Sequence, residues 1–225
     1  QMRKAYAIHS RRDTATTALW YWTGSTSAHF HQQVMMTALG AEYVDALEDA
    51  AMAMVFLRKN ATILGIDPAN VVFAGAGSGA HLALCCTTLP EIGKEPGENF
   101  RPSALFLFSP LVNTTRKGVG GGNFSSGEEA REYSPSEHLP QAGLPPCKLY
   151  HGRNDRLIPI ELVTRFAKRY AKKKNSCELM EFEGAGHTFF NYNSHQQNYE
   201  ITLRSVDCFL VDLGILEPDP LAGEF

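Results

Sequence analysis

Three short stretches of the sequence contain residue types that could together perform nucleophilic catalysis. The first is VVFAGAGSGAHLAL, residues 71–84, which predicts a strand, a glycine-dense turn and the start of a helix. Glycines in such a turn remove the Cβ clashes that forbid a sharp bend, and the following helix points its first amides at the turn. The predicted elbow comprises Gly75, Ala76, Gly77, Ser78 and Gly79. Ser78 carries its one hydroxyl and could be a nucleophile; the alternative is a turn that only packs a helix closely on a sheet.

The other two stretches supply an acid and a base. In HGRNDRLIP, residues 151–159, Asp155 follows a predicted buried strand, where a carboxylate can orient a histidine and stabilise its cation. In EGAGHTFF, residues 183–190, His187 follows the last predicted strand, between glycines and phenylalanines. A partly desolvated loop imidazole suits a general base. Singly, Asp155 could cap a turn and His187 could be incidental, but the order of elbow, Asp and His, each after a strand, favours a catalytic triad.

The elements around these stretches predict an α/β fold in one domain, residues 1–225. Apolar strands alternate with amphipathic helices, which implies a mostly parallel central sheet with helices on both faces. The predicted strands are Val71–Ala76, Ala104–Phe108, Pro146–His151 and Cys177–Phe182, and the predicted helices are Asp45–Leu64, His81–Thr88, Ile160–Lys173 and Tyr199–Leu213.

Two parts of the chain depart from that pattern. Residues 112–146 are rich in glycine, serine and proline, and we interpret them as an excursion or lid with at most a short helix. The N-terminal part is atypical or shortened for a large sheet, with Ala18–Trp22 as a candidate strand and Phe30–Leu39 as a candidate helix.

Composition excludes several classes of function. A net charge of −3 on 225 residues argues against nucleic acid as a partner, and without a run of about 18 apolar residues we expect no membrane span. The five cysteines lack metal-ligand spacing, so we expect no metal and interpret them as reduced thiols. Reduced thiols, and a start at Gln1 without the apolar stretch of a secretory signal, favour the cytoplasm.

From Asp45 to Leu216 the chain resembles the α/β-hydrolase superfamily, within its acetyl-esterase and hormone-sensitive-lipase-like carboxylesterase group. The resemblance rests on ALEDAAMAMVFLRKNATILGIDP, GAGSGAHLAL, HGRNDRLIP, EGAGHTFF and SVDCFLVDLGIL. It implies the α/β-hydrolase fold, hydrolysis of carboxylic esters and no cofactor. It also implies that Asp155 is the triad acid and His187 the triad base.

The resemblance breaks at the nucleophile. Counted from Asp67 before the elbow and from His81 after it, the serine position of similar sequences falls on Gly77. Ser78 is then the next residue, whose backbone amide would serve the oxyanion hole. A shift of the elbow by one residue would instead bring Ser78 to the tip. The upstream H-G-G-G-W-type oxyanion loop is absent, although residues 22–25 resemble its end.

Three functions remain open at this point. The first is hydrolysis of a small acyl ester by Ser78, Asp155 and His187, with Gly77 as a substitution that could make the site inactive. The second is a non-catalytic protein that binds an ester or apolar ligand on the same scaffold. The third is acid and base chemistry by His187 and Asp155 without a nucleophile. His81 is expected to be a helix residue that bonds a backbone group.

Overall fold

A sheet of five parallel strands organises the described part of the chain. The computed structural model describes residues 19–22, 47, 51, 54–64, 67–89, 101–140, 142–193 and 195–216. The strands are β1 Leu19–Trp22, β2 Val72–Ala76, β3 Ala104–Phe108, β4 Cys147–Gly152 and β5 Cys177–Phe182. Their order in the sheet is the order in the chain, and all four pairings are parallel. The carboxyl ends of the strands therefore lie at one edge, where ligands bind in open α/β sheets.

Helices connect the strands. They are α1 Ala61–Leu64, α2 Ser78–Thr88, α3 Gly127–Glu132, α4 Ile160–Lys172 and α5 Gln196–Asp212, and residues 54–59 are also helical. Apart from the first helix, the elements agree with the predicted ones to within a few residues at each end. Of the predicted helix Asp45–Leu64, the described residues 47, 51, 54–59 and 61–64 are helical, with a turn at Asn60. At the elbow, α2 begins at Ser78, three residues before the predicted start at His81. The candidate helix Phe30–Leu39 lies outside the described residues.

The core has two layers because side chains of a strand alternate between the faces of the sheet. Leu105 and Leu107 of β3 pack in the layer that contains α2 and α4. Phe106 and Phe108 of the same strand pack in the layer that contains α5. Burial on both faces explains why β3 is apolar throughout, and the predicted parallel sheet with helices on both faces is confirmed.

Residues 112–146 form the predicted excursion, which contains α3 and two short 3-10 helices, Gly121–Asn123 and Pro135–Glu137. Val112, Leu139 and Leu144 are buried in the same layer as α2 and α4. The ends of the excursion are therefore anchored in the core. Its function as a lid stays a prediction.

No helix in the described ranges combines the length and the apolar character that crossing a bilayer requires.

Candidate active site

The elbow between β2 and α2 has Gly77 at its tip. Gly77 has φ 54° and ψ −114°, a backbone conformation that strongly favours glycine. Its amide donates to the Phe108 carbonyl over 2.9 Å. Ser78 is the next residue and the first of α2. The flanking Gly75 allows the helix to start this close to the strand, because a Cβ there would lie 2.5 Å from the Gly79 carbonyl oxygen.

Asp155 lies in the turn after β4, and its carboxylate is fully buried and fully bonded. Oδ1 accepts the amides of Leu157 at 2.8 Å and Ile158 at 3.0 Å. Oδ2 accepts Nδ1–H of His187 at 2.7 Å. Burial alone would raise the pKa of the Asp155 carboxyl, but the hydrogen bonds from His187 and the two amides, with the charge of the imidazole, lower that pKa below its ordinary value. Asp155 is therefore an acceptor for the imidazole at neutral pH.

His187 lies in the turn after β5, and its side chain is 12% exposed. Its backbone carbonyl accepts the Ser109 hydroxyl at 2.7 Å. The next residues anchor the turn, since the Phe189 ring is fully buried and stacks on Phe182. With Nδ1–H donated to Asp155, the neutral imidazole carries its lone pair on Nε2, the atom that would accept a proton in general-base catalysis.

The turns after β4 and β5 are in direct backbone contact. The Asn154 amide donates to the Ala185 carbonyl at 2.9 Å. Gly152, the last residue of β4, has no side chain between them. A Cβ at Gly152 would lie 2.4 Å from the carbonyl oxygens of both Ala185 and Gly186. The absence of a side chain at Gly152 therefore sets how closely His187 can approach Asp155.

The end of β3 connects the elbow to the His187 turn. Phe108 lies opposite Ala76 in the register of β2 and β3, and its carbonyl binds the Gly77 amide. The following residue, Ser109, binds the His187 carbonyl. Consecutive residues of one strand end thus contact the elbow tip and the histidine turn. Of the predicted site residues, the structure brings Gly77, Asp155 and His187 to one edge, with Ser78 directly after the tip.

His151 also belongs to this cluster, although no role was predicted for it from the sequence. It is fully buried on β4, with Nε2 2.9 Å from the Ile158 carbonyl oxygen and 3.4 Å from Asp155 Oδ2. Burial lowers the pKa of His151 below its ordinary value. Asp155 Oδ2 therefore has two imidazoles beside it, a partly exposed one at His187 and a fully buried one at His151. The sequence signal for His151 was the presence of a histidine at the end of an apolar strand, four residues before Asp155.

His81 on α2 is buried behind the elbow, with Nε2 2.9 Å from the Tyr133 carbonyl oxygen. The expected backbone partner is confirmed. Burial lowers the pKa of His81 to about 4, and the bond to Tyr133 opposes that effect only in part. The imidazole is therefore uncharged at neutral pH and donates from Nε2. Within the described ranges, no three His, Cys, Asp or Glu side chains are grouped so that they could hold a metal ion.

Comparisons with known proteins show what this chain is similar to. The BD-FAE family model matches residues 34–103. A probable isoprenylcysteine alpha-carbonyl methylesterase of Arabidopsis thaliana is 29% identical over 170 residues, which are 64% of this chain and 35% of that protein. The chain thus spans about a third of the length of this curated relative.

Solved structures of an esterase from the Planctomycetes species Thermogutta terrifontis are also similar. The native form is 34% identical with a TM-score of 0.70, over 79% of this chain and 67% of that one. The propionate-bound form is 34% identical with a TM-score of 0.70, over 78% and 68%. The form phosphorylated by paraoxon is 36% identical with a TM-score of 0.68, over 78% and 66%. The chain belongs to the carboxylesterase group of the α/β-hydrolases.

The close approach at Gly152 generates a first prediction. Gly152→Ala should lower the free energy of unfolding by about 1–3 kcal/mol, because the added methyl group meets backbone atoms that cannot rotate away. Urea denaturation measures this change. Gly186→Ala is the matched control, since a Cβ there meets nothing within 4 Å. That control should change stability by less than about 0.5 kcal/mol. Equal effects of the two substitutions would contradict the role given to Gly152.

The buried His81 generates a prediction about pH. A folded pKa of about 4 lies below the ordinary 6.5, so the unfolded chain binds the proton first as the pH falls. This proton uptake does not affect the free energy of unfolding above pH 6.5. Between pH 6.5 and pH 4 it lowers the free energy of unfolding, by about 3 kcal/mol in total. His81→Gln keeps a donor for Tyr133 and should lose that part of the pH dependence.

Urea denaturation of the wild type and His81→Gln at a series of pH values between 7 and 4 measures the difference. The same substitution at the exposed His195 controls for the loss of an imidazole from the unfolded chain. A difference between wild type and His81→Gln that is constant over this range would contradict the burial of an uncharged His81.

Proposed function

We propose that the protein is a carboxylic ester hydrolase that acts on small acyl esters through Ser78, Asp155 and His187. The observation that carries the proposal is the 2.7 Å hydrogen bond between a buried Asp155 and His187, at the sheet edge that also holds the elbow. The propionate in a structure of the Thermogutta esterase supports a short acyl group as the substrate class.

The proposed steps give each of these groups the role that its chemistry allows. The Ser78 hydroxyl attacks the carbonyl carbon of the ester and gives its proton to Nε2 of His187. Asp155 holds the imidazole by Nδ1 and stabilises its cation. The alcohol leaves with that proton and an acyl-serine remains. Water then attacks the acyl-serine, again with His187 as base, and the carboxylic acid leaves. Amides at the start of α2 would stabilise the oxyanion.

Gly77 supports a second candidate, a protein that binds the ester or an apolar ligand without turnover. The tip of the elbow has no hydroxyl, and Ser78 begins the helix one residue later. Loss of a triad nucleophile costs on the order of 10⁶ in turnover. In this candidate His187 and Asp155 remain as parts of a binding site.

Turnover of p-nitrophenyl acetate and butyrate tests the first candidate. His187→Ala should lower the rate by about 10²–10⁴, the contribution of a positioned proton acceptor. Ser78→Ala should lower it by on the order of 10⁶, because it removes the nucleophile. Substitution of the exposed His195 by alanine should leave the rate unchanged. Paraoxon should leave a diethyl phosphate group on Ser78, which mass spectrometry of the digested protein detects. Saturable binding of propionate without turnover and without this adduct would favour the second candidate.

Gly77→Ser tests whether the elbow tip alone limits catalysis. If the second candidate holds and the wild type has no working nucleophile, a hydroxyl at the tip should raise turnover of the same esters by at least about 10³, because a nucleophile accounts for most of the rate of a triad. A side chain at φ 54° should also cost about 1–2 kcal/mol of stability. Gly77→Ala is the matched control, with the same strain and no hydroxyl. If Gly77→Ser binds propionate but does not hydrolyse the esters, the site lacks more of the catalytic machinery than a hydroxyl at the tip.

A further inference from the structure

Ser109, directly after β3, has a backbone conformation that its position in the chain does not explain. It has φ 43°, and it is fully buried. Lys174 is the other residue besides glycine with positive φ in the described ranges, and it follows the end of α4, where helices commonly turn into this conformation. Ser109 follows the end of a strand, where a positive φ is not a common feature. Strained residues of this kind persist only where surrounding contacts hold them, and they occur often at active sites.

Three contacts hold the end of β3 in place. The Ser109 amide donates to the Tyr150 carbonyl of β4 at 2.8 Å. The Ser109 hydroxyl donates to the His187 carbonyl at 2.7 Å. The preceding carbonyl, of Phe108, accepts the Gly77 amide at 2.9 Å. The dipeptide 108–109 therefore contacts the elbow tip, the strand that leads to Asp155 and the turn that carries His187.

We infer that Ser109 is a positioning residue, whose hydroxyl sets the height of His187 above the sheet so that Nδ1 meets Asp155. The inference concerns the site of the proposed function and rests on it for its catalytic meaning. The geometry gives the reason. Between β5 and α5, the turn of residues 183–190 has its ring contacts after His187, at Phe189 and Phe190. The Ser109 hydroxyl instead binds the backbone of His187 itself.

The strained φ fits this role. A residue in ordinary extended geometry after Phe108 would continue the strand and direct its side chain elsewhere. The positive φ of Ser109 turns the chain at that point while its amide and its hydroxyl both stay bonded. The bonds on both sides of this residue compensate for the unfavourable backbone conformation.

The test compares Ser109→Ala with wild type by NMR of the full chain, which needs no turnover. The Nδ1 proton of His187 should give a downfield signal, assigned by its absence in His187→Gln. In Ser109→Ala this proton should exchange with water about tenfold faster, and the amides of residues 187–190 should also exchange about tenfold faster, as loss of one buried hydrogen bond allows.

Ser103→Ala is the matched control. Ser103 lies just before the start of the same strand, and its hydroxyl donates to the Ala69 carbonyl. Ser103→Ala therefore loses a bond between a serine hydroxyl and a backbone carbonyl, in a more exposed place, at the opposite edge of the sheet. It should leave the Nδ1 proton unchanged. Ser109→Gly also lacks the hydroxyl but accepts positive φ, so it serves if Ser109→Ala does not fold. Exchange at His187 equal to wild type in either Ser109 variant would overturn the inference.

Ester hydrolysis provides the second readout and separates the two proposals. If the wild type turns over, Ser109→Ala should lower kcat with little change in KM, and Ser109→Cys, which keeps a weak donor, should recover part of the rate. If no variant turns over, the proposed function fails while the NMR comparison still decides the position of His187.

Discussion

The candidate site depends on how closely two neighbouring turns approach each other at one edge of the sheet. Parallel strands lie about 4.8 Å apart, so the turns after β4 and β5 can share hydrogen bonds only where no side chain separates them. Gly152 meets that condition, and the Asn154 amide reaches the Ala185 carbonyl across the gap. The short distance between Asp155 and His187 follows from this backbone contact and from the ring contacts that bury Phe189.

A buried carboxylate is stable only when its oxygens are bonded, because removing a charge from water costs several kcal/mol. Asp155 meets this requirement with two amides on one oxygen and His187 on the other. His151 lies 3.4 Å from that second oxygen, and its own burial favours the neutral form. The cluster therefore has one carboxylate between two imidazoles of different character. The imidazole that solvent reaches is that of His187.

Much of this architecture could be predicted from the sequence, for reasons that differ between elements. β3 was predictable because a strand buried on both faces is apolar at every position, as ALFLF is. The positions of Asp155 and His187 at one edge of the sheet were predictable because each follows a predicted strand. The start of α2 was not, because Ser78, Gly79 and Ala80 have no apolar periodicity. The contact between Ser109 and His187 joins residues 78 positions apart, and no local pattern records it.

The elbow shows why geometry and chemistry must be considered separately. A backbone with φ 54° at the tip is strained for serine and relaxed for glycine. In a hydrolase with serine at the tip, the rest of the fold must impose this conformation. With Gly77 the same turn forms at lower cost, held by the Phe108 carbonyl and by the packing of Gly75 against Gly79. The shape of the elbow therefore persists whether or not a hydroxyl is present at the tip. It follows that the bend identifies the fold, whereas the reactivity that we propose depends on the side chains of Ser78, His187 and Asp155.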